Sequence, residues 1–170
     1  AVLVEHNPDL QLPPASLTKL MTAYILAQEV ELGRLGLNDV VPVSRNAWSQ
    51  NPVFEGSSLM WIEPGKPVTV AELERGIVIS SGNDATVAIA EHIAGSEAAF
   101  VDLMNRYAKE MELTGTHFEN SHGLPRPTTS PAFRGAISGP SISTDGVISA
   151  VFLVSVSITS VVTPKATCGA

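Results

Sequence analysis

Acidic residues all but stop at one point in this chain: sixteen of the seventeen Asp and Glu precede position 124, and only Asp145 follows. Seven basic residues lie before that point and three after it, so the formal charge is −9 in front and +2 behind. Ahead of the break, apolar residues recur at helical spacing between turn signals; behind it Ser, Thr, Pro and Val dominate and no amphipathic helix is legible. A chain with this break is expected to build its core from residues 1–123, leaving 124–170 as a segment of different character. An out-of-frame or chimeric reading of the underlying gene would produce such a switch. Residues 146–162 are apolar but diluted by Ser and Thr, a pattern closer to a strand pair than to a membrane span, which needs about twenty unbroken apolar residues.

At 170 residues and 44% hydrophobic, the chain can bury one core. A net charge of −7 argues against nucleic acid as the main partner. The lone Cys168 excludes an internal disulfide and any multi-cysteine metal site, and nothing calls for a cofactor. The sequence opens at Ala1 on Ala-Val-Leu-Val-Glu, which reads as a strand entered midway, with no charged or apolar leader in view; a mature chain or a fragment is expected.

Four helices are expected. Leu17, Leu20, Met21, Tyr24 and Ile25 fall on one face of a helix after Pro13-Pro14-Ala15, with Gly33 and Gly36 at its end. A second runs from Ala71 to Ile79 and a third from Asp84 to His92, stopped by Gly95. Ser96 can cap a fourth, bearing Phe100, Leu103, Met104, Tyr107 and Met111 and closed by Gly115. Val40-Val-Pro-Val, Leu59-Met-Trp-Ile and Pro67-Val-Thr-Val are short extended pieces around a surface loop.

Two groups of residues carry chemistry. In Ser16-Leu17-Thr18-Lys19 the i, i+3 spacing puts a hydroxyl and an amine on one helix face. A serine needs a base to become nucleophilic, and a lysine serves only where burial or a neighbouring cation lowers its pKa. A helix N-terminus also favours developing oxyanion charge. Alone the spacing is weak, because a capping serine and a solvated first-turn lysine have the same letters. The second group, Ser81-Gly82-Asn83, occupies a tight turn between two helices. There Ser81 could relay a proton, and Asn83 could hold a substrate amide and hydrogen-bond Lys19.

Pro14-Ala-Ser-Leu-Thr-Lys-Leu-Met-Thr22 and Ser80-Ser-Gly-Asn-Asp-Ala85, with Ser16 and Ser81 separated by 65 residues, resemble two active-site segments of the low-molecular-mass penicillin-binding proteins, serine-type D-alanyl-D-alanine carboxypeptidases of the peptidase S11 type. Asn46-Ala-Trp-Ser, Gly56-Ser-Ser-Leu-Met, Glu63-Pro-Gly, Phe100-Val-Asp-Leu-Met-Asn and Thr116-His-Phe-Glu-Asn-Ser-His-Gly-Leu124 extend the likeness over residues 1 to about 125. The resemblance implies an α+β fold of the β-lactamase and penicillin-binding transpeptidase type, a helical cluster with an antiparallel sheet that is incomplete here. It implies Ser16 as nucleophile, Lys19 as general base, Ser81 as proton relay and Asn83 as substrate contact. The implied substrate is a peptidoglycan stem peptide, with β-lactams as inhibitors. The implied location is the periplasm, at the outer face of the cytoplasmic membrane, with membrane association in the full-length family.

The family's third motif, Lys-Thr-Gly, is absent; Lys165-Ala-Thr-Cys-Gly169 has related letters but no contiguous triad. A non-catalytic remnant therefore stays open beside the enzyme. Within the same fold, a β-lactamase or a DD-endopeptidase stays open as the runner-up; the carboxypeptidase is preferred because a class A β-lactamase would carry Ser-Asp-Asn at the second motif and a glutamate-bearing loop motif. His6, His92, His117 and His122 come without a nucleophile-elbow pattern, so a Ser-His-Asp triad is the lesser alternative. Trp48 and Trp61 are expected to pack, and Glu55, Glu63 and Glu72 to be surface carboxylates.

Overall fold

A computed structural model describes residues 13–125, so the opening strand, His6 and everything expected of residues 126–170 lie outside the described residues. A 3₁₀ turn at Ala15–Leu17 leads into helix α1, Thr18–Glu31. Strand β1, Val40–Val41, pairs antiparallel with β2, Val68–Thr69, placing Val40 opposite Thr69 and Val41 opposite Val68. Helices α2 (Val70–Ser80), α3 (Asn83–Ala94) and α4 (Glu97–Glu110) follow.

Each helix boundary has a local cause. Thr69 Oγ1 accepts from the Glu72 N–H while the Glu72 carboxylate accepts from the Thr69 N–H, a capping box that starts α2. Gly95 ends α3 in the left-handed region at φ 80°, where glycine carries no Cβ penalty. Ser96 then caps α4 by accepting from the Ala99 N–H. That helix stops at Glu110, short of the expected Gly115, with Met111 as its cap and Glu112 turned to φ 58°.

Helix α3 is the centre of the packing, with every residue from Asn83 to Ala90 buried. Ala85, Ala88 and Ala90 keep its surface shallow enough for neighbours on several sides. One apolar cluster joins Leu26, Val41, Phe54, Val70, Leu73 and Ile89. A second joins Met21, Ile25, Phe100, Met104 and Phe118.

Three expectations need correction. Leu17 and Leu20 are exposed (56% and 42%), because α1 turns inward the face that carries Thr18, Lys19 and Thr22 along with Met21 and Ile25. Residues 59–62 form no strand: the carboxylate of Asp84, fully buried, accepts from the Met60 and Ile62 N–H groups at 2.8 and 3.1 Å, doing what a neighbouring strand's carbonyls would do. Trp61 consequently points outward, 73% exposed and at φ 66°, whereas Trp48 is half-buried. Glu55 and Glu72 are exposed as expected, and half-buried Glu63 pairs with Lys66. No helix among the described residues is long and apolar enough to cross a membrane.

Candidate active site

The N-terminal end of α1 and the turn between α2 and α3 meet at one oxygen. Ser81 Oγ lies 3.2 Å from Ser16 Oγ, and Lys19 Nζ lies 3.4 Å from that same atom. Ser81 caps α2 in the left-handed region at φ 52°, a conformation that costs a non-glycine residue energy and collects at functional sites. The Asn83 N–H donates to the Ser58 carbonyl at 2.9 Å, fixing the turn against the loop that Asp84 clamps. Ala15, directly before Ser16, also has positive φ, at 47°.

Lys19 is 5% exposed, and its ammonium donates to the His122 carbonyl at 2.9 Å. Burial depresses its pKa from 10.5 to about 8. Roughly a tenth of the molecules thus hold a neutral Lys19 amine at pH 7, and about half at pH 8. A neutral amine at this distance, once it tightens on substrate, can take the Ser16 proton.

Asn83 is buried in the same place, but the hydrogen bond expected between it and Lys19 is not made. Lys19 is satisfied by Ser16 and His122 instead, and Asn83 Oδ1 is buried without a partner among the described residues, as is Thr18 Oγ1. An unsatisfied buried amide oxygen is costly to maintain and is available to an incoming N–H donor.

Sequence reasoning gave little weight to the Asn120–Leu124 loop. It was legible only as part of the resemblance, since a loop that works through backbone carbonyls leaves no side-chain signature. Besides capturing Lys19, it offers the Ser121 carbonyl to Thr22 Oγ1 at 2.8 Å. Asn120 Oδ1 draws the loop tight by accepting from the His122 and Gly123 N–H groups. Gly123, at φ 88°, packs so closely that a Cβ there would overlap the Ala15 carbonyl oxygen. Among the described residues His122 is thus the histidine nearest this loop's hold on Lys19; His92 is half-buried on α3 and His117 is exposed. Among the described residues no group of three or more His, Cys, Asp or Glu could hold a metal ion. A cavity of about 260 Å³ opens beside this loop, between Asn46, Asn51, Phe54, Glu97, Asn120 and His122, and does not reach Ser16.

The family model described as D-alanyl-D-alanine carboxypeptidase, peptidase S11, matches residues 1–158. The chain belongs to the D-alanyl-D-alanine carboxypeptidase family. Its family match continues past the break at residue 124. The D-alanyl-D-alanine carboxypeptidase DacC of Escherichia coli is 48% identical over 127 residues, 74% of this chain and 32% of that protein. DacA of the same organism is 50% identical over 124 residues, 72% of this chain and 31% of that protein. The chain therefore spans about a third of the length of these family members. Penicillin-binding protein 5 of Haemophilus influenzae superimposes with a TM-score of 0.75 at 38% identity, covering 90% of this chain and 41% of that one. Penicillin-binding protein 6B of E. coli gives 0.71 at 42%, covering 85% and 43%. The α+β penicillin-binding fold is thereby shown, here as a helix-rich portion with a small antiparallel pair.

Proposed function

We propose that the chain carries the acylation centre of a serine D-Ala-D-Ala carboxypeptidase acting on peptidoglycan stem peptides at the outer face of the cytoplasmic membrane, and that β-lactams acylate the same serine. One observation carries this reading: a hydroxyl and a buried amine of depressed pKa, from separate elements, converge on Ser16 Oγ.

Ser16 Oγ attacks the carbonyl carbon of the penultimate D-alanine as its proton passes to neutral Lys19. The C–N bond then breaks, and the departing D-alanine nitrogen takes that proton by way of Ser81. Water attacks the acyl carbonyl, gives one proton back to Ser16 Oγ through Lys19, and frees the shortened peptide. Asn83 Oδ1, lacking a partner, accepts an amide N–H of the peptide. In a β-lactam the amide that opens lies in a ring, so the leaving nitrogen stays tethered. Such general base catalysis contributes about 10²–10⁴ in rate.

Lys-Thr-Gly, expected to supply an oxyanion donor and a carboxylate clamp, does not occur within the 170 residues, which span about a third of the relatives' length. Removing one oxyanion donor costs about 10²–10³, and losing a carboxylate clamp removes positioning as well. The second reading is a chain that folds and does not acylate. Incubation with a fluorescent penicillin and intact-mass measurement separates the two. An adduct present in the parent and missing in Ser16→Ala is expected; folded parent with no adduct refutes the acylation centre. We also propose that the charge break marks a change of origin between residues 1–123 and 124–170, although the family match to residue 158 weighs against so sharp a boundary. Translating the gene in its other two frames tests this: no carboxypeptidase-like continuation in either removes the idea.

A further inference from the structure

Lys19 is held by a backbone carbonyl, so something must hold that backbone. Glu97, in the first turn of α4, reaches the loop from the side away from Ser16. Its Oε1 accepts from the Ser121 N–H at 3.1 Å and from Ser121 Oγ at 2.8 Å. The same oxygen lies 3.6 Å from His122 Nε2, on a ring that is almost wholly buried. His122 Nδ1 accepts the Leu124 N–H at 3.1 Å, so the ring's proton sits on Nε2, facing Glu97. The ring is also wedged edge-on against Phe54, with centroids 5.9 Å apart. One carboxylate oxygen therefore fixes both residues whose carbonyls grip α1: Ser121 on Thr22, and His122 on Lys19.

We infer that Glu97 is a positioning residue for Lys19, acting through the Ser121–His122 backbone. It touches neither Ser16 nor Lys19, and its role depends on the reading of Lys19 as the base of Ser16. With Glu97 in place the loop closes over the amine and keeps water from it. Without an acceptor at this position the Ser121 N–H and hydroxyl lose their partner, the loop loosens, and the His122 carbonyl drifts from Nζ. Among the described residues, the titratable groups that face Lys19 or its support are few. His122 and Glu97 come from the loop and α4, while Asp84 on α3 is engaged by Met60 and Ile62, and α1 has no acid in its first turn.

The test uses the whole chain as parent, Glu97→Ala, Glu97→Gln and Ser121→Ala, each checked for folding by its thermal transition. Lysine labelled with ¹³C at Cε reports the Lys19 titration by NMR, assigned from the signal lost in Lys19→Met. Glu97→Ala is expected to raise the Lys19 midpoint from about 8 by roughly one unit as water reaches the amine. Ser121→Ala moves it the same way by less, and covers the case in which Glu97→Ala does not fold. Glu97→Gln keeps an acceptor oxygen toward Ser121 and leaves the midpoint within a few tenths, which separates loop anchoring from loss of charge. Penicillin acylation at pH 7 falls about tenfold in Glu97→Ala, matching the smaller neutral fraction, with apparent affinity unchanged and the rate restored in Glu97→Gln. An unmoved midpoint in Glu97→Ala and Ser121→Ala, or equal shifts in the Gln and Ala variants, overturns the inference. A parent that makes no adduct sinks the proposed function, and the NMR midpoints still decide the positioning role.

Discussion

Burying the Lys19 amine has a thermodynamic consequence that can be read without any enzymatic assay. The unfolded chain keeps a proton on this lysine up to pH 10.5, whereas the folded chain releases it at about 8. Between those values the unfolded state binds more protons, so stability rises with pH; below 8 both states are protonated and the whole penalty is present. A depression of about two and a half units, at about 1.4 kcal/mol per unit, corresponds to about 3–4 kcal/mol, most of which is relieved between pH 7 and pH 10. Lys19→Met keeps the length of the side chain and removes the titration. Urea unfolding of parent and variant at several pH values isolates Lys19, because every other titrating group is common to both. The intercept is not the test, since the variant also removes the hydrogen bond from Lys19 to the His122 carbonyl, at a cost of about 1–3 kcal/mol. The slope is: parent stability minus variant stability should climb by about 2–3 kcal/mol from pH 7 to pH 10. A difference that stays flat within 0.5 kcal/mol, about the resolution of such a comparison, would mean that the amine is solvated and that the basis for its role as a base is wrong.

Further outcomes follow from the same geometry. Acylation by a fluorescent penicillin should rise about tenfold from pH 6 to pH 7 and level off above the Lys19 midpoint of about 8, as followed in quenched time courses. Gly123→Ala adds a Cβ that meets the Ala15 carbonyl at a residue with φ 88°; a loss of about 2–4 kcal/mol in denaturant unfolding is expected, with acylation lost before the fold. Asp84→Ala strips three backbone N–H groups, of Met60, Ile62 and Ala85, of this acceptor, so residues 59–62 should exchange amide hydrogens far faster, at a cost of about 2–4 kcal/mol in stability. Thr69→Ala removes half of the capping box and should cost about 1 kcal/mol in thermal unfolding while leaving acylation unchanged.

The four helices were legible because their signals are local. Ser96 and Gly95 sit where caps belong, and of the residues expected along α4 Phe100 and Met104 are fully buried and Leu103 and Tyr107 partly, while Met111, past the helix end, is exposed. Helix α1 was harder, since apolar residues surround it. Which face turns inward is decided by Lys19 and Thr22 seeking the carbonyls of residues 122 and 121, partners 103 and 99 residues away. The 59–62 segment misled for a related reason: its alternation is that of a strand, but its partner is a carboxylate on α3. At the site, Ser16, Lys19 and Ser81 came together as their spacing and resemblance suggested. The Asn83–Lys19 bond is not made; Lys19 donates to Ser16 and to a backbone carbonyl instead, and backbone acceptors are the same in every residue.

That carbonyl lies 103 residues downstream of the amine it restrains. Closing so long a loop is among the later events of folding, since entropy must be given up before distant contacts offset it. On a ribosome or a translocating chain, Ser16 emerges long before His122, and until the latter arrives nothing fixes Lys19 in the interior. Its amine then titrates as a free lysine, protonated at neutral pH, and Ser16 is an ordinary alcohol. Under the proposed role of Lys19, reactivity toward an acyl donor becomes a reporter of completed tertiary closure, and a nascent or locally unfolded copy is expected to be chemically silent.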